Sequence, residues 1–157
     1  MNQEQHSGMN KKHYQKLIIM AVLSFIAMYV LMYSMVDVVS NAIPNVNQFY
    51  MAGLMTMPMV IIELAVMGGM YMKKKLNVII FAVSFILFIG FFLCIRYQVG
   101  VSEKQFLKGM IPHHAAAILM AEKVDKSDPV IKKLTDDIIT SQSAEIELMK
   151  AKLKEMK

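Results

Sequence analysis

The sequence predicts an all-α protein in which three transmembrane helices precede a C-terminal hairpin of two helices. Three long apolar runs follow one another in residues 17–95, and apolar residues recur at helical spacing in residues 100–157. Of the 157 residues, 56% are hydrophobic and seventeen are methionine, which is more apolar than soluble domains usually are. The single cysteine, Cys94, excludes a disulfide scaffold.

The three apolar runs have the length that a helix needs to cross the roughly 30 Å hydrocarbon core of a bilayer. They cover residues 17–36, 49–72 and 76–95. We therefore expect an N-terminal tail at 1–16, a membrane domain at 17–99 and a separate helical domain at 100–157. Residues 37–48 form the predicted turn between the first two spans, and Lys73–Lys75 form the next turn.

The positive charge lies at the ends of the apolar runs. Seven basic residues stand against three acids in residues 1–99, whereas ten lysines stand against nine acids in residues 100–157. A nucleic-acid interface would need a basic patch on a folded module, so no nucleic-acid partner is predicted. Lysines in such clusters mark the cytoplasmic ends of spans. We expect a multi-pass protein of the plasma or inner membrane, with a cytoplasmic N-terminus and an extracytoplasmic C-terminal domain.

The C-terminal domain contains two helix-start signals. Ser102 and Gln105 have the spacing of a capping box, so the first helix begins near Glu103. Asp128 and Pro129 resemble an N-cap followed by proline at the first helical position, and this second helix continues to about Glu155. The two helices form a hairpin.

Apolar residues form two adjoining rows on the first helix of the hairpin and one stripe on the second. The rows are Phe106, Met110, His113, Ala117, Met120 and Val124, and then Leu107, Ile111, His114 and Ile118. The stripe is Ile131, Leu134, Ile138, Gln142, Glu145, Met149, Leu153 and Met156. A hairpin of this size cannot bury all of them alone. A homodimer or higher homo-oligomer that completes a four-helix bundle is the simplest partner; the ends of the membrane helices are another.

Polar side chains interrupt these rows where apolar ones are expected. Buried charge is costly unless it is paired or binds a metal. Antiparallel closure brings two imidazoles, one carboxylate and up to three thioethers to one level of the hairpin. These candidate ligands are Met110, His113, His114, Met120, Glu145 and Met149. Thioethers with imidazoles favour copper, as Cu(I) or Cu(II), over zinc or calcium. The alternative is a structural polar cluster among methionines that merely fill the core.

Two motifs in this domain resemble a known bacterial family. They are FLKGMIPHHAAAILM (Phe106–Met120) and IITSQSAEIELM (Ile138–Met149). They are similar to those of the CopM-like copper-binding family, catalogued as a domain of unknown function, whose characterised members are extracytoplasmic four-helix bundles related to the ferritin-like fold. The resemblance covers the last third of the chain. It implies copper handling or tolerance, with the six candidate ligands as the copper site and Gln142 beside them.

This chain differs from the better-known members of that family in two respects. Better-known members of the family carry the motif more than once in a chain, whereas it occurs once here, so another subunit must complete the bundle or the bundle stays open. Soluble members have a secretory signal, whereas three spans hold this chain. We therefore expect a role fixed at the membrane surface.

A second candidate metal site lies inside the membrane domain. Glu63 is predicted near the middle of the second span, where a carboxylate is a functional candidate. Met59 and Met67 lie on the same stripe at helical spacing, together with Met55 and Met70. The alternative, which we favour, is that methionine packs as an apolar residue and that Glu63 is protonated and bonded to a group such as Ser24, Ser84 or Asn77.

Three functions fit these features. The first is a membrane-anchored copper-binding protein for sequestration, handling or tolerance. The second is a small copper transporter that uses the stripe around Glu63, and the third is a helical dimerisation module without metal. The sequence contains no nucleophile–base pair, phosphate-binding glycine loop or cofactor motif, so no enzyme is predicted.

Overall fold

The computed structural model describes residues 3–156, with side chains from residue 12 onward. Met1, Asn2, Lys157 and the side chain of the predicted anchor Lys11 lie outside this range. The described residues form α-helices and short 3₁₀ turns without any strand, which confirms the all-α prediction. The helices are α1 (Gln3–Leu31), α2 (Val46–Val66), α3 (Lys74–Arg96), α4 (Glu103–Lys123) and α5 (Pro129–Glu155).

Three helical segments are long and apolar enough to cross a membrane. They are Lys12–Met35, Val46–Val66 and Lys74–Arg96, so the number of predicted spans is confirmed. Large apolar side chains remain on the outside of these helices, such as Leu23 with 60% of its surface exposed and Ile86 with 67%. Helices that are apolar on all sides suit a hydrocarbon environment.

The boundaries of the membrane helices differ from the predicted ones. The second span was predicted at 49–72, but α2 ends at Val66 and a 3₁₀ turn at Gly68–Met70 follows it. Glycine is a poor helix former, which explains the earlier end. Residues 67–73 therefore make the second turn, and Lys74 and Lys75 belong to α3. Residues 3–16, predicted as a tail, are helical in α1.

The described residues up to Leu31 and the segment Phe49–Val99 form one compact unit. Its buried apolar cluster contains Tyr14, Leu17, Val60, Leu64 and Tyr71. Helices α2 and α3 approach closely at one point, where a Cβ added to Gly53 would lie 2.5 Å from Cε2 of Phe91. The absence of a side chain at this position allows the close packing.

Met32–Gln48 and the described residues from Gly100 onward form the other unit. Helices α4 and α5 enclose a buried cluster of Ile111, Ala115, Ile118, Ile146 and Met149. Val36 and Ile43, from the connection between α1 and α2, pack against the same cluster. The connection was predicted only as a turn; it also completes the apolar core of the hairpin.

Both predicted helix-start signals are confirmed. The side chain of Ser102 accepts a hydrogen bond from the backbone N–H of Gln105 at 3.4 Å. Oδ1 of Asp128 accepts from the N–H groups of Val130 and Ile131 at 2.7 and 3.2 Å. These acceptors satisfy N–H groups that have no partner within the first helical turn.

The hairpin buries one of the two apolar rows on α4. The second row packs inward, with Ile111 fully buried and Ile118 4% exposed. The first row remains largely outside, with Phe106 and Met120 each about half exposed. The stripe on α5 is also rotated from the predicted one, because Thr135 and Ile146 are buried and Leu134 is 52% exposed. A single antiparallel contact between two helices can cover only one side of each.

Candidate metal centre

The buried imidazole of His114 is held from both sides. The ring belongs to α4, has 8% of its residue surface exposed, and connects α4 to α5. Its Nδ1 lies 3.0 Å from the backbone carbonyl oxygen of Met110, one turn earlier in the same helix. Its Nε2 lies 2.7 Å from Oε2 of Glu145 on α5.

These two contacts determine what the ring can do chemically. A backbone carbonyl only accepts hydrogen bonds, so the hydrogen on Nδ1 of His114 is donated to Met110. In a neutral ring, Nε2 then presents a lone pair to the carboxylate of Glu145, which is also an acceptor. At 2.7 Å the two atoms share a proton, because a metal ion with bonds of about 2 Å to each atom would not fit between them. To bind a metal, the pair would give up this proton. Metal-binding histidines usually have this second hydrogen bond from the other ring nitrogen.

Two thioethers belong to the same region of the hairpin. Met149 is 8% exposed and forms part of the apolar cluster, one turn of α5 beyond Glu145. Met110 is partly buried and packs against that cluster. Imidazole nitrogen, carboxylate oxygen and thioether sulfur are therefore all available within one part of α4 and α5.

Gln142 is close to this group along α5 and has an unsatisfied polar atom. Its Oε1 is buried and has no hydrogen-bond partner among the described residues. Such an atom costs about 1–3 kcal/mol unless a donor or a cation satisfies it. Gln142 lies three residues before Glu145, and side chains at this spacing share one face of a helix.

The structure separates the predicted ligands into two sets. Met110, His114, Glu145 and Met149 lie at the contact between α4 and α5, with Gln142 nearby on α5. His113 and Met120 lie on the exposed row of α4, and Met120 is 55% exposed. The ring centroids of His113 and His114 are 6.1 Å apart, with the planes inclined by 61°.

The inner set contains few strong ligands. Among residues 12–156, no group of three or more histidine, cysteine, aspartate or glutamate side chains could hold a metal ion. Within one copy of the chain, the pair of His114 and Glu145 would need thioethers, water or ligands from another copy to complete a coordination shell.

Glu63 lies in a different chemical environment from the predicted one. It is in the last turn of α2 instead of the middle of a span, because α2 ends at Val66. Its Oε1 accepts a hydrogen bond from the hydroxyl of Tyr71 at 3.1 Å. A hydroxyl partner was expected at Ser24 or Ser84, and an amide at Asn77. Tyr71 was not predicted as the partner of Glu63. The only indication in the sequence is that Tyr71 is an aromatic residue with a polar hydroxyl at the end of a predicted span.

The methionine stripe around Glu63 is shorter than predicted. Met59 remains on α2, but Met67 and Met70 follow the end of that helix, so helical spacing no longer places them on one side. Tyr14 and Asn77 complete the surroundings of Tyr71: the Tyr14 hydroxyl donates to Oδ1 of Asn77 at 2.6 Å, and Nδ2 of Asn77 donates to the Tyr71 carbonyl at 2.7 Å.

Comparison with known protein families identifies a domain in the C-terminal part of this chain. Residues 94–153 match the family described as "Domain of unknown function (DUF305)". The match covers α4 and nearly all of α5, and supports the domain without supporting the CopM-like copper specificity. No solved structure gives a significant match.

A viral relative extends the likeness to the membrane helices. This chain is 35% identical over 147 residues to "Uncharacterized protein L153" of Acanthamoeba polyphaga mimivirus. The alignment covers 90% of this chain and 93% of the relative. The chain therefore belongs to the same family as the viral protein and carries the DUF305 domain after its candidate spans.

Proposed function

We propose that this protein is a membrane-anchored copper-binding protein whose C-terminal domain holds copper for sequestration, handling or tolerance. The observation that carries the proposal is the contact between the buried ring of His114 and the exposed carboxylate of Glu145, whose Nε2 and Oε2 atoms lie 2.7 Å apart. Copper would displace the shared proton to solvent and would bind both atoms from one side of the line that joins them. The carbonyl of Met110 would keep Nε2 directed at the ion.

The donor set favours copper over the common hard cations. Thioether sulfur from Met110 or Met149 is a soft ligand that suits Cu(I), and imidazole suits both oxidation states. Calcium and magnesium prefer shells of oxygen atoms, for which Glu145 and Gln142 supply too few donors. The buried and unsatisfied Oε1 of Gln142 is a further polar atom that a bound cation would stabilise.

The placement of the domain outside the cytoplasm is part of the proposal. Lys12, Lys16 and the lysines at 73–75 lie at ends of the candidate spans and would remain in the cytoplasm. After three crossings, the chain from Gly100 onward would lie on the opposite side. That side is where a protein at the membrane surface would meet incoming copper.

Copper titration of the full chain in detergent micelles tests the proposal. The apparent dissociation constant is measured for Cu(I) under reducing conditions, and separately for Cu(II), against a competing chelator. We expect His114→Ala and Glu145→Gln to weaken binding by about tenfold or more. Matched controls are His13→Ala and Glu147→Gln, which change the same residue types elsewhere. A wild-type affinity equal to that of the His114→Ala, Glu145→Gln double variant would overturn the proposal.

The two alternative functions have weaker support. The transporter would use Glu63, Met59 and Met67, but the helix that would align them ends at Val66. If the hairpin served only for dimerisation, the contact between His114 and Glu145 would have no chemical role. Copper flux into proteoliposomes that is lost in Glu63→Gln would favour transport.

A further inference from the structure

An open cavity lies beside the turn between α2 and α3, and the proposed copper binding gives it no role. Its volume is about 560 Å³. Three consecutive lysines and three apolar side chains form its walls, namely Met72, Lys73, Lys74, Lys75, Leu76 and Ile79. All six belong to the membrane unit, so the cavity is complete within one compact unit. It therefore offers cationic and apolar surface to the same ligand.

The three lysines of the cavity lack a counter-charge among the described residues. Their side chains are exposed, and none takes part in an ion pair with a described residue. Glu63 is the only acidic side chain described in this unit, and its Oε1 accepts a hydrogen bond from Tyr71. The positive charge of the cavity therefore remains available to an anionic ligand.

Two further lysines lie near the cavity along the chain of α1. The hydroxyl of Tyr14 accepts a hydrogen bond from the backbone N–H of Lys73 at 3.3 Å. Lys12 and Lys16 stand two residues before and two residues after Tyr14, and both are exposed. The contact between Tyr14 and Lys73 thus brings the basic segment of α1 to the same end of the membrane unit as the cavity.

Hydrogen bonds and packing fix the walls of the cavity. The Tyr14 hydroxyl donates to Oδ1 of Asn77 at 2.6 Å, and Nδ2 of Asn77 donates to the Tyr71 carbonyl at 2.7 Å. Leu76 packs against the buried cluster that contains Tyr14 and Tyr71. The turn that carries the lysines is therefore tied to α1 and to the start of α3.

The cavity extends from the end of a candidate span into that span. The span begins at Lys74, and Ile79 lies about 7 Å further along the helix. Met72 is 63% exposed and Ile79 is 57% exposed. In a bilayer, the lysines would lie at the level of the headgroups and Ile79 at the start of the acyl chains.

These two kinds of wall favour a lipid over a soluble anion. A phosphate group offers charged acceptor oxygens to the ammonium groups of the lysines. A soluble phosphate would leave the apolar wall of Met72, Leu76 and Ile79 in contact with water, which is unfavourable. A phospholipid covers that wall with an acyl chain, and clusters of lysines beside a span attract anionic headgroups.

We propose that the cavity is a binding site for an anionic phospholipid. Lys73, Lys74 and Lys75 bind the phosphate of the headgroup, and one acyl chain lies along Leu76 and Ile79. A zwitterionic lipid such as phosphatidylcholine binds less well, because its own cationic group is repelled by the lysines. This site is independent of copper binding and functions in either orientation of the chain.

The absence of tryptophan from the chain allows a test at a single position. Val78→Trp introduces one fluorophore next to Ile79, at a position that is 67% exposed. The full-length variant is reconstituted into phosphatidylcholine vesicles that contain brominated phosphatidylglycerol, or brominated phosphatidylcholine in its place. The ratio of quenching gives the relative affinity of the two lipids for this position. We expect the anionic lipid to be favoured at least about fivefold.

A tryptophan in the middle of α3 controls for the bulk composition of the bilayer. Phe85→Trp is 50% exposed in the wild-type residue and lies away from the cavity. We expect the two brominated lipids to quench it equally. Equal quenching of Val78→Trp by the two lipids would overturn the proposal.

Charge substitutions test the lysines in the Val78→Trp background. Replacing all three lysines of the cavity by glutamine should abolish the preference for the anionic lipid, and replacing them by arginine should retain it. A control removes the same charge from exposed positions of α5 and should leave the preference unchanged; it combines Lys132→Gln, Lys133→Gln and Lys154→Gln. A preference that survives the glutamine substitutions in the cavity would overturn the proposal.

Inorganic phosphate distinguishes a lipid from a soluble anion. Millimolar phosphate is added to the vesicles and compared with sodium chloride of equal ionic strength, which screens charge to the same extent. We expect the lipid preference to be the same in both salts. A preference that phosphate removes and chloride does not would assign the lysines to a soluble anion and overturn the lipid site.

Discussion

Nε2 of His114 and Oε2 of Glu145 join two helices through side chains that are 31 positions apart in the chain. The imidazole is almost fully buried, whereas the Glu145 side chain is 56% exposed. One partner is thus held in the core of the hairpin while the other reaches it from the surface. An ion could therefore approach from the solvent side of the carboxylate without opening the apolar core.

The first prediction concerns pH. In the proposed copper site, protons would compete with copper for Nε2 of His114, so the apparent copper affinity should fall on acidification from about pH 7.5 to about pH 5.5. The His114→Ala variant should show a flatter dependence, because it lacks the imidazole and retains only the Glu145 carboxylate as a proton-binding ligand beside the thioethers. Chelator competition at each pH measures the effect. An equally steep dependence in this variant would show that another group controls the competition.

The second prediction concerns topology. In a Cys94→Ser background, a cysteine introduced by Ser143→Cys on the exposed side of α5 should react with a membrane-impermeant maleimide on intact cells. A cysteine introduced by Lys75→Cys at the start of α3 should react only after permeabilisation, because that end would be cytoplasmic. Mass shifts on gels report both reactions. The reverse labelling pattern would invert the proposed orientation.

The third prediction concerns the core of the hairpin. Ile111 is fully buried, so Ile111→Ala should remove about 2–5 kcal/mol of stability by leaving a cavity. Val130→Ala, at a position that is 73% exposed, should change stability by less than about 0.5 kcal/mol. Hydrogen exchange of α4 and α5 amides in the full chain measures both. Equal protection in the two variants would contradict the described packing.

The fourth prediction concerns the membrane helices. Gly53→Ala places a methyl group 2.5 Å from Cε2 of Phe91, so either this ring or α2 must move. We expect a lower thermal midpoint for the detergent-solubilised chain. At Gly90 an added Cβ meets nothing within 4 Å, and Gly90→Ala should be neutral or slightly stabilising because alanine favours helices. A Gly53→Ala midpoint at or above that of the wild type would exclude close packing at this point.

Local signals were sufficient to predict much of the fold. The acceptors at Ser102 and Asp128 act on N–H groups within three residues, so the starts of α4 and α5 follow from short segments. The apolar runs are long enough to identify spans without tertiary information. The end of α2 was missed because the methionines after Gly69 continue the apolar composition beyond the helix.

The candidate site was harder to predict because it depends on which sides of the helices meet. Both rows of α4 are apolar and both contain a histidine, so periodicity does not select His114 over His113 for the interior. Ile111 and Ile118 pack against Ile146, which is distant in sequence, and this packing determines that His114 faces the interior. The same limit applies to Glu63, whose partner Tyr71 lies beyond the helix end.

The packing of Val36 and Ile43 against the hairpin core means that the C-terminal domain is assembled from two separate stretches of sequence. Excising the chain at Gly100 would leave behind part of the hydrophobic lining that covers Ile111 and its neighbours. Residues 100–157 alone are consequently expected to fold poorly when they are fused to a different membrane anchor. Sequence changes in the connection between α1 and α2 should therefore be constrained by the C-terminal hairpin, and the two segments should be inherited together.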